Sequence, residues 1–468
     1  MGISTSQGGD TPVTNYGNSI VYSMTATTTV VGLTEGTADL DTESQIDTDT
    51  YSTSSGVITV KETGTYLIIN HAAVDDNGGA NRSAAETFLH INSTLVAGAY
   101  TDGFIRRSGN SNEFSDCGYG IYELTANDTV EMRALLINQA GSNCQLTGND
   151  ATNIDAKTSL TLVKLNSDNS KIILEALSGQ TQQLTANVTD VDMNWDSSIV
   201  KDTGFTHSTS VNPDEITIDE AGTYMAVYSN SWQRTSDSTT RTGAIERLTL
   251  DGTTIPGTFH NNYVRGSQSS ELIRRGNNSS ATIFKTTSPN QVLKLVSYRE
   301  AGAITLYRYP LKSRITVYKL NGNEKTFRIE SNSVENIGST TESTMTYDSS
   351  DWVDSGLSLS SNQITATSGS KFLVFQGVQS DGSAVQRTGA YQFGRFNGTN
   401  VKIGGTATKY VRHTGDMDIG CPHWGVISTI GDGETIECRM DNLCTTSTDL
   451  LRITNTGAFV GIDLNTLE

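Results

Sequence analysis

The sequence predicts an all-β protein made of three tandem antiparallel β-sandwich (jelly-roll) domains. Three observations carry that expectation. Runs with period-two alternation, such as Arg247-Leu-Thr-Leu-Asp251 before Gly252, recur between turns rich in Gly, Asn, Asp and Ser. No apolar stripe of helical period with caps at its ends interrupts them. The same ordered anchors occur three times, at a spacing that suits a self-sufficient domain better than a solenoid repeat.

The first anchor is a strand, a small-residue turn and a second strand. It reads GVITVKETGTY over 56–66, EITIDEAGTY over 215–224 and, degraded, QITATSGSKF over 363–372. The second places an arginine before Ser or Thr and an apolar run: Arg82, Arg241 and Arg387, which lie 159 and 146 residues apart. The third pairs an aromatic with an arginine two residues on: Phe104 with Arg106, Tyr263 with Arg265, Tyr410 with Arg412. Copies two and three also share an upstream segment, 195–205 and 347–357. Copies one and two close on alternating runs at 159–166 and 314–321, followed by polar linkers at 167–170 and 322–325. The expected organisation is an N-terminal arm over 1–18 and domains over 19–168, 169–323 and 324–468, in line with the soft count of about three that 468 residues suggest.

Composition narrows function. The chain carries 51 acidic and 32 basic side chains, a net charge of −19. That sign is wrong for a protein that neutralises nucleic-acid phosphates or an anionic bilayer, so neither nucleic acid nor membrane is an expected partner. The five cysteines, Cys117, Cys144, Cys421, Cys438 and Cys444, are odd in number and form no metal-binding spacing. They read as small buried hydrophobes, with a Cys117–Cys144 bridge left open. Gly2 with Ser6 matches a myristoylation pattern, without the polybasic patch that a stable anchor needs.

No catalytic constellation stands out. The six histidines form no HExxH, and no GxSxG, P-loop or strand–GxGxxG–helix unit occurs, so no enzyme is expected. Asp190, Asp192, Asn194 and Asp196 alternate as at the start of a calcium loop. Trp195 stands where the sixth position wants Gly, and Lys201 where the twelfth wants Glu. The polar face of an edge strand is the preferred reading; no cofactor is expected, with Ca2+ the one candidate. Asp39, Asp41, Asp47 and Asp49 carry the same ambiguity. Arg82, Arg241 and Arg387 are expected to close an axis or pair with an acid of a neighbouring copy, the other reading being ligand contact. Arg106, Arg107, Arg265 and Arg412 sit near turns and suit contact with an acidic surface. The copies diverge in their loops: 75–79 in the first, Tyr298-Arg299 and Tyr307-Arg308-Tyr309 in the second, Cys421-Pro422-His423-Trp424 in the third.

These anchors resemble the jelly-roll head of the C1q/tumour-necrosis-factor-like superfamily. The resemblance rests on Gly64-Thr65-Tyr66 and Gly222-Thr223-Tyr224, on the turns at Asn92-Ser93, Asp251-Gly252 and Asn397-Gly398, and on the turns entering the next strand at Asn127-Asp128, Pro289-Asn290 and Gly431-Asp432-Gly433. The third copy departs from it, with Lys371-Phe372 in place of Gly-x-Tyr. The resemblance implies domains that pack one sheet face around an axis, with both termini at one end. Linkers this short then favour three copies around a pseudo-threefold axis within one chain; the rival is a homotrimeric fibre of stacked heads. It also implies a non-enzymatic bacteriophage virion structural protein: a head decoration, cement or capsid-fibre component on the particle exterior, docked on the major capsid protein or other virion proteins. The alternatives are a tail-fibre protein recognising host-surface glycan and a cellular C1q-like lectin or adhesin. Aromatics at 7%, spread along the chain, favour decoration over glycan recognition.

Overall fold

The computed structural model describes residues 19–467 apart from 26–28, 31–33, 77–81, 107–112, 139–143, 149–155, 178–181, 235–240, 266–274, 301, 303, 332, 338–341, 361, 367–369, 382–387, 401–404, 412–418, 422, 432, 443–449 and 453–455. Gly2, Ser6, the arm over 1–18, Arg107, Arg387, Arg412 and Cys444 lie outside the described residues. No helix among the described residues is long and apolar enough to cross a membrane.

The first third of the chain supplies ten principal strands: β1 (Ser19–Ser23), β2 (Thr42–Ile46), β3 (Tyr51–Ser54), β4 (Val57–Val60), β5 (Gly64–Asp76), β6 (Arg82–Ile91), β7 (Thr101–Arg106), β8 (Glu113–Leu124), β9 (Thr129–Asn138) and β10 (Ser159–Leu165). They pair antiparallel into two sheets, ordered β2-β1-β10-β5-β8 and β3-β4-β9-β6-β7. The second third repeats this with β11 (Lys171–Glu175), β12 (Ser197–Lys201), β13 (Phe205–Thr206), β14 (Ile216–Ile218), β15 (Gly222–Gln233), β16 (Ala244–Leu250), β17 (His260–Asn261), β18 (Arg275–Thr286), β19 (Gln291–Arg299) and β20 (Leu306–Lys319). The last third adds β21 (Thr326–Ser331), β22 (Ser349–Val353), β23 (Leu357–Ser360), β24 (Gln363–Ala366), β25 (Ser370–Gly377), β26 (Thr388–Phe396), β27 (Thr406–Val411), β28 (His423–Ile430), β29 (Thr435–Asn442) and β30 (Gly457–Asp463). The strand order of each sheet is the same in all three copies, so each copy is a jelly-roll sandwich.

Local chemistry explains the shared elements. In the hairpins after β6, β16 and β26 the chain turns on Asn92-Ser93, Asp251-Gly252 and Asn397-Gly398, all at positive φ, as a two-residue type I′ turn requires. The Gly-Thr-Tyr anchor ends in a tether: Tyr66 Oη donates to Glu62 O at 2.6 Å, and Tyr224 Oη to Glu220 O at 2.9 Å. Phe372 stands at the third position without a hydroxyl, which is why that anchor reads as degraded.

Alternation along β5 divides two cores. Tyr66 and Ile68 point into the first sandwich, whereas Leu67 and Ile69 join a cluster that draws on all three domains. β15 does the same, with Tyr224, Ala226 and Tyr228 in the second sandwich and Met225 and Val227 in the shared cluster. The sheets that contain β5 and β15 are therefore not half-exposed; one face fills the sandwich and the other fills the centre of the molecule. Each such side chain contributes about 1.5–3 kcal/mol by leaving water.

Cys117, Cys144, Cys421 and Cys438 are buried thiols outside any disulfide, so Cys117 and Cys144 are not bridged. Burial also holds the Cys438 thiol well above its usual range. A Cys444→Ser variant should show no thiol reactive toward an aromatic disulfide reagent in the folded state and four after unfolding, measured by absorbance.

Candidate functional site

The feature that organises the molecule is the axis where the three sandwiches meet. Tyr119 on β8, Ala281 on β18 and Gly425 on β28 hold equivalent places, opposite Ile69, Val227 and Phe375 of the adjoining strands. One large ring, one methyl and one hydrogen share the axis. Tyr119 packs edge-on against Phe375 with ring centroids 5.8 Å apart. A Cβ on Gly425 would lie 2.6 Å from Phe375 Cδ1 and 3.0 Å from Tyr119 Cε1, so the glycine makes room for the tyrosine. Three tyrosines would not fit there.

The next equivalent position along these strands is Cys117, Ser279 and His423. Here the large residue comes from domain 3. His423 Nε2 lies 3.0 Å from Ala281 O, and Nδ1 lies 3.0 Å from Tyr119 Oη. A neutral imidazole fits both contacts, donating to the carbonyl and accepting from the hydroxyl. Tyr119 N donates to Ser279 Oγ at 2.9 Å. All three domains thus meet at one side chain. Within the stretch singled out as a divergent loop, Cys421 and His423 contact domain 2, whereas Trp424 packs inside domain 3 against Phe459.

A second ring of contacts closes the circle. At the equivalent positions Ser115, Asn277 and Cys421, each domain reaches toward the β7-type strand of a neighbour. Ser115 Oγ meets Thr408 Oγ1 at 3.3 Å, Asn277 Nδ2 donates to Tyr100 O, and Cys421 N donates to Asn261 Oδ1 at 2.8 Å. The direction is domain 1 to 3, 2 to 1 and 3 to 2, which is a closed pseudo-threefold arrangement. Phe104 and Tyr263, the aromatics of the third anchor, meet across domains 1 and 2 with centroids 5.0 Å apart.

Two arginines cap buried edge-strand carbonyls across these interfaces. Arg314 of domain 2 donates to Ile121 O at 2.7 Å and is braced by Glu175 at 2.7 Å. Arg328 of domain 3 donates to Ile283 O at 3.0 Å, Thr282 Oγ1 at 3.2 Å and Pro256 O at 2.9 Å, and is braced by Glu330 at 2.7 Å. Ile121 and Ile283 are equivalent, and so are Glu175 and Glu330. The guanidinium itself arrives from β20 in one case and β21 in the other, so repeat alignment could not reveal it.

The repeated arginines have a different placement. Arg82 lies directly opposite Arg106 on β6 and β7, and Arg241 opposite Arg265 in the short ribbon of Arg241–Thr242 with Val264–Arg265. The second and third anchors are thus register partners of one another. Arg241 is half-buried, and its Nε has no acceptor.

The candidate calcium residues are occupied by cations of the protein. Arg247 binds Asp190 at 2.7 Å, and Lys294 reaches Asp192 at 3.1 Å, Asp214 at 2.7 Å and Glu215 at 3.1 Å. Asp190, Asp192, Glu215, Arg247 and Lys294 line an open groove of about 430 Å³ on the outer sheet of domain 2. Asp196 accepts from Leu177 N, and Asp41 and Asp47 accept from nearby Thr25 and Asp49 amides. Among the described residues no cluster of three or more His, Cys, Asp or Glu could hold a metal. Tyr307-Arg308-Tyr309, read above as a divergent loop, lies in β20 and turns inward at its centre. Arg308 is 1% exposed, stacks at 4.3 Å on the Trp195 ring and bonds Asn230 at 2.8 Å. Beside it Glu246 is buried against Trp232, Asn230 and Ser297, and burial pushes its carboxyl up to about 7.

One interface histidine links stability to pH. His71 of domain 1 has Nδ1 2.8 Å from Lys157 O and Nε2 3.0 Å from Thr406 Oγ1 of domain 3. His260 of domain 2 has Nε2 3.2 Å from Asp116 of domain 1. Burial lowers His71 to about 4, so the folded state resists a proton that the unfolded chain takes up near 6.5. The sign follows: His71 costs nothing above pH 6.5, and its penalty grows as pH falls toward 4. It should remove about 3 kcal/mol across that window, read as a fall in urea unfolding free energy that His71→Gln abolishes. Tyr119→Ala should destabilise by about 3–5 kcal/mol, and Arg328→Met by about 2–4 kcal/mol, in denaturant titrations. Arg328→Met should also split one unfolding transition into two, with domain 3 released first.

No family model matches the chain, and no curated protein matches it. Among solved structures the chain is similar to murine APRIL, at 13% identity and a TM-score of 0.23, over 33% of this chain and 100% of that one. It is also similar to Eiger TNF from S. frugiperda, at 12% identity and a TM-score of 0.23, over 32% of this chain and 92% of that one.

Proposed function

We propose that this protein is a non-enzymatic structural component of a bacteriophage virion, a head decoration, cement or capsid-fibre protein. It docks on the particle exterior, against the major capsid protein or another virion protein. The supporting observation is the axis itself, where Tyr119, Ala281 and Gly425 complement one another within a single chain. Such a body needs no further copies to complete its centre and cannot dissociate on dilution, as an assembled trimer does. Its three outer surfaces differ, so one chain can present one docking face while the others face solvent. The net charge of −19 favours an exterior position over contact with packaged nucleic acid.

The exposed large hydrophobics among the described residues are Leu95, Leu177, Val188, Ile199, Val211, Leu311 and Val334, all aliphatic. Glycan recognition usually relies on an exposed aromatic platform, so this surface favours the decoration reading over a receptor-binding tip.

Immunogold labelling of purified particles should mark the head, and labelling at the tail tip would overturn the assignment. In solution the chain should sediment at its own mass of 50.2 kDa. A particle of about 150 kDa with three interlocked chains would remove the single-chain version.

A further inference from the structure

The boundary between domains 1 and 2 buries an amine and a carboxyl within reach of each other. β20 breaks register with β15 between Ser229 and Ser231, so residues 310–313 bulge opposite Asn230. The bulge aims Lys312 at domain 1. Its Nζ donates to Tyr100 Oη and, at 3.4 Å, to Glu86 Oε2. Tyr100 Oη in turn donates to the same Oε2. Aromatic rings enclose the amine, with centroids 4.0 Å from Nζ for Tyr100, 5.4 Å for Tyr309 and 5.6 Å for Phe88. Glu86, Tyr100 and Lys312 are all buried.

As an ion pair this arrangement is poorly completed. Glu86 Oε1 is buried without a hydrogen-bond partner, and Arg275 approaches Oε2 only to 3.9 Å. Burial pushes Lys312 below its usual range, toward the neutral amine that is nucleophilic. A carboxylate oxygen left buried and unpaired is costly, whereas an amide carries no charge to desolvate. At the equivalent positions Glu246 is held by Trp232, Asn230 and Ser297 inside its own sandwich, and Gln392 is uncharged. Glu86 is the one of the three that meets a lysine of a neighbouring domain.

We propose that Lys312 and Glu86 join covalently, through an amide between Nζ and Cδ that ties domain 2 to domain 1. Tyr100 touches both partners and relays the protons. The ammonium passes one proton through the Tyr100 hydroxyl to Oε2, which leaves an amine beside a carboxylic acid. Nζ attacks Cδ, the N–C bond forms, and a second proton follows the same path to Oε2. The C–Oε2 bond breaks, water leaves, and Oε1 stays as the amide oxygen. One positive and one negative charge disappear together, and no oxidant or reductant is consumed. Arg275 offsets the negative charge that develops on the carboxyl. Fixed proximity replaces a bimolecular encounter, and the aromatic surround keeps out the water that would reverse the step.

Trypsin digestion of the denatured full chain, read by mass spectrometry, tests this. A joined Lys312 resists trypsin, so segment 309–314 should appear attached to segment 83–106, lighter by one water than the two peptides together. Fragmentation should place the branch at Glu86. Recovery of Lys312 in linear peptides alone overturns the proposal. So does a branch at Asp102, which lies opposite Glu86 on β7 and in the same peptide. Lys312→Arg keeps a cation at the bulge without a nucleophilic amine. It should give no branched peptide and should migrate differently from wild type on a denaturing gel; equal migration overturns the proposal. Tyr100→Phe keeps the ring and loses the relay. Timed from synthesis in cell-free translation, it should join about a hundredfold more slowly than wild type, and equal rates overturn the relay.

Discussion

Burial of both faces of one sheet in each domain is the constraint on which the rest of the structure depends. A jelly roll normally needs only its inner faces covered. Here the outward side chains of β5, β15 and β25, namely Leu67, Ile69, Met225, Val227, Leu373 and Phe375, are apolar too. They must find partners, and the partners are the corresponding strands of the other two domains. Each sandwich therefore depends on its neighbours for part of its stability, and the three behave as one body around a shared core.

Close packing at an axis explains why the copies differ. Where three equivalent side chains converge, identical large residues collide and identical small ones leave a void. A single chain with three independently varied copies escapes that choice. It places one tyrosine, one alanine and one glycine at one level, and one cysteine, one serine and one histidine at the next. The close approaches that result are glycine-dependent elsewhere as well: a Cβ on Gly377 would lie 2.4 Å from Gly257 O of the preceding domain.

The same burial sets the polar chemistry. Backbone carbonyls of β8 and β18 are removed from water by the neighbouring domain and must be paired. Arg314 and Arg328 do this, each balanced by a glutamate, because a buried guanidinium without a counter-charge would be costly. Burial disfavours the charged form of His71 for the same reason, and this makes the interface of domains 1 and 3 sensitive to acid.

Much of this was legible in the sequence. Alternation, the Asp-Gly and Asn-Gly turns and the repeated Gly-Thr-Tyr anchor are local signals, governed by backbone conformation and side-chain period, and they determined the triplicated all-β sandwiches. The runs Tyr66 to Ile69, Tyr224 to Val227 and Phe372 to Phe375 are apolar at every position, and in the folded chain they are buried on both faces. What only the tertiary structure decided is which residues meet. His423 and Tyr119 are 304 residues apart. Arg314 and Arg328 come from non-equivalent strands, and Arg82 and Arg241 were known as repeats without their register partners Arg106 and Arg265. Contacts of that kind depend on how three surfaces fit around an axis. No local pattern records that fit, because it arises from long-range packing and from the need to satisfy every polar group that packing buries.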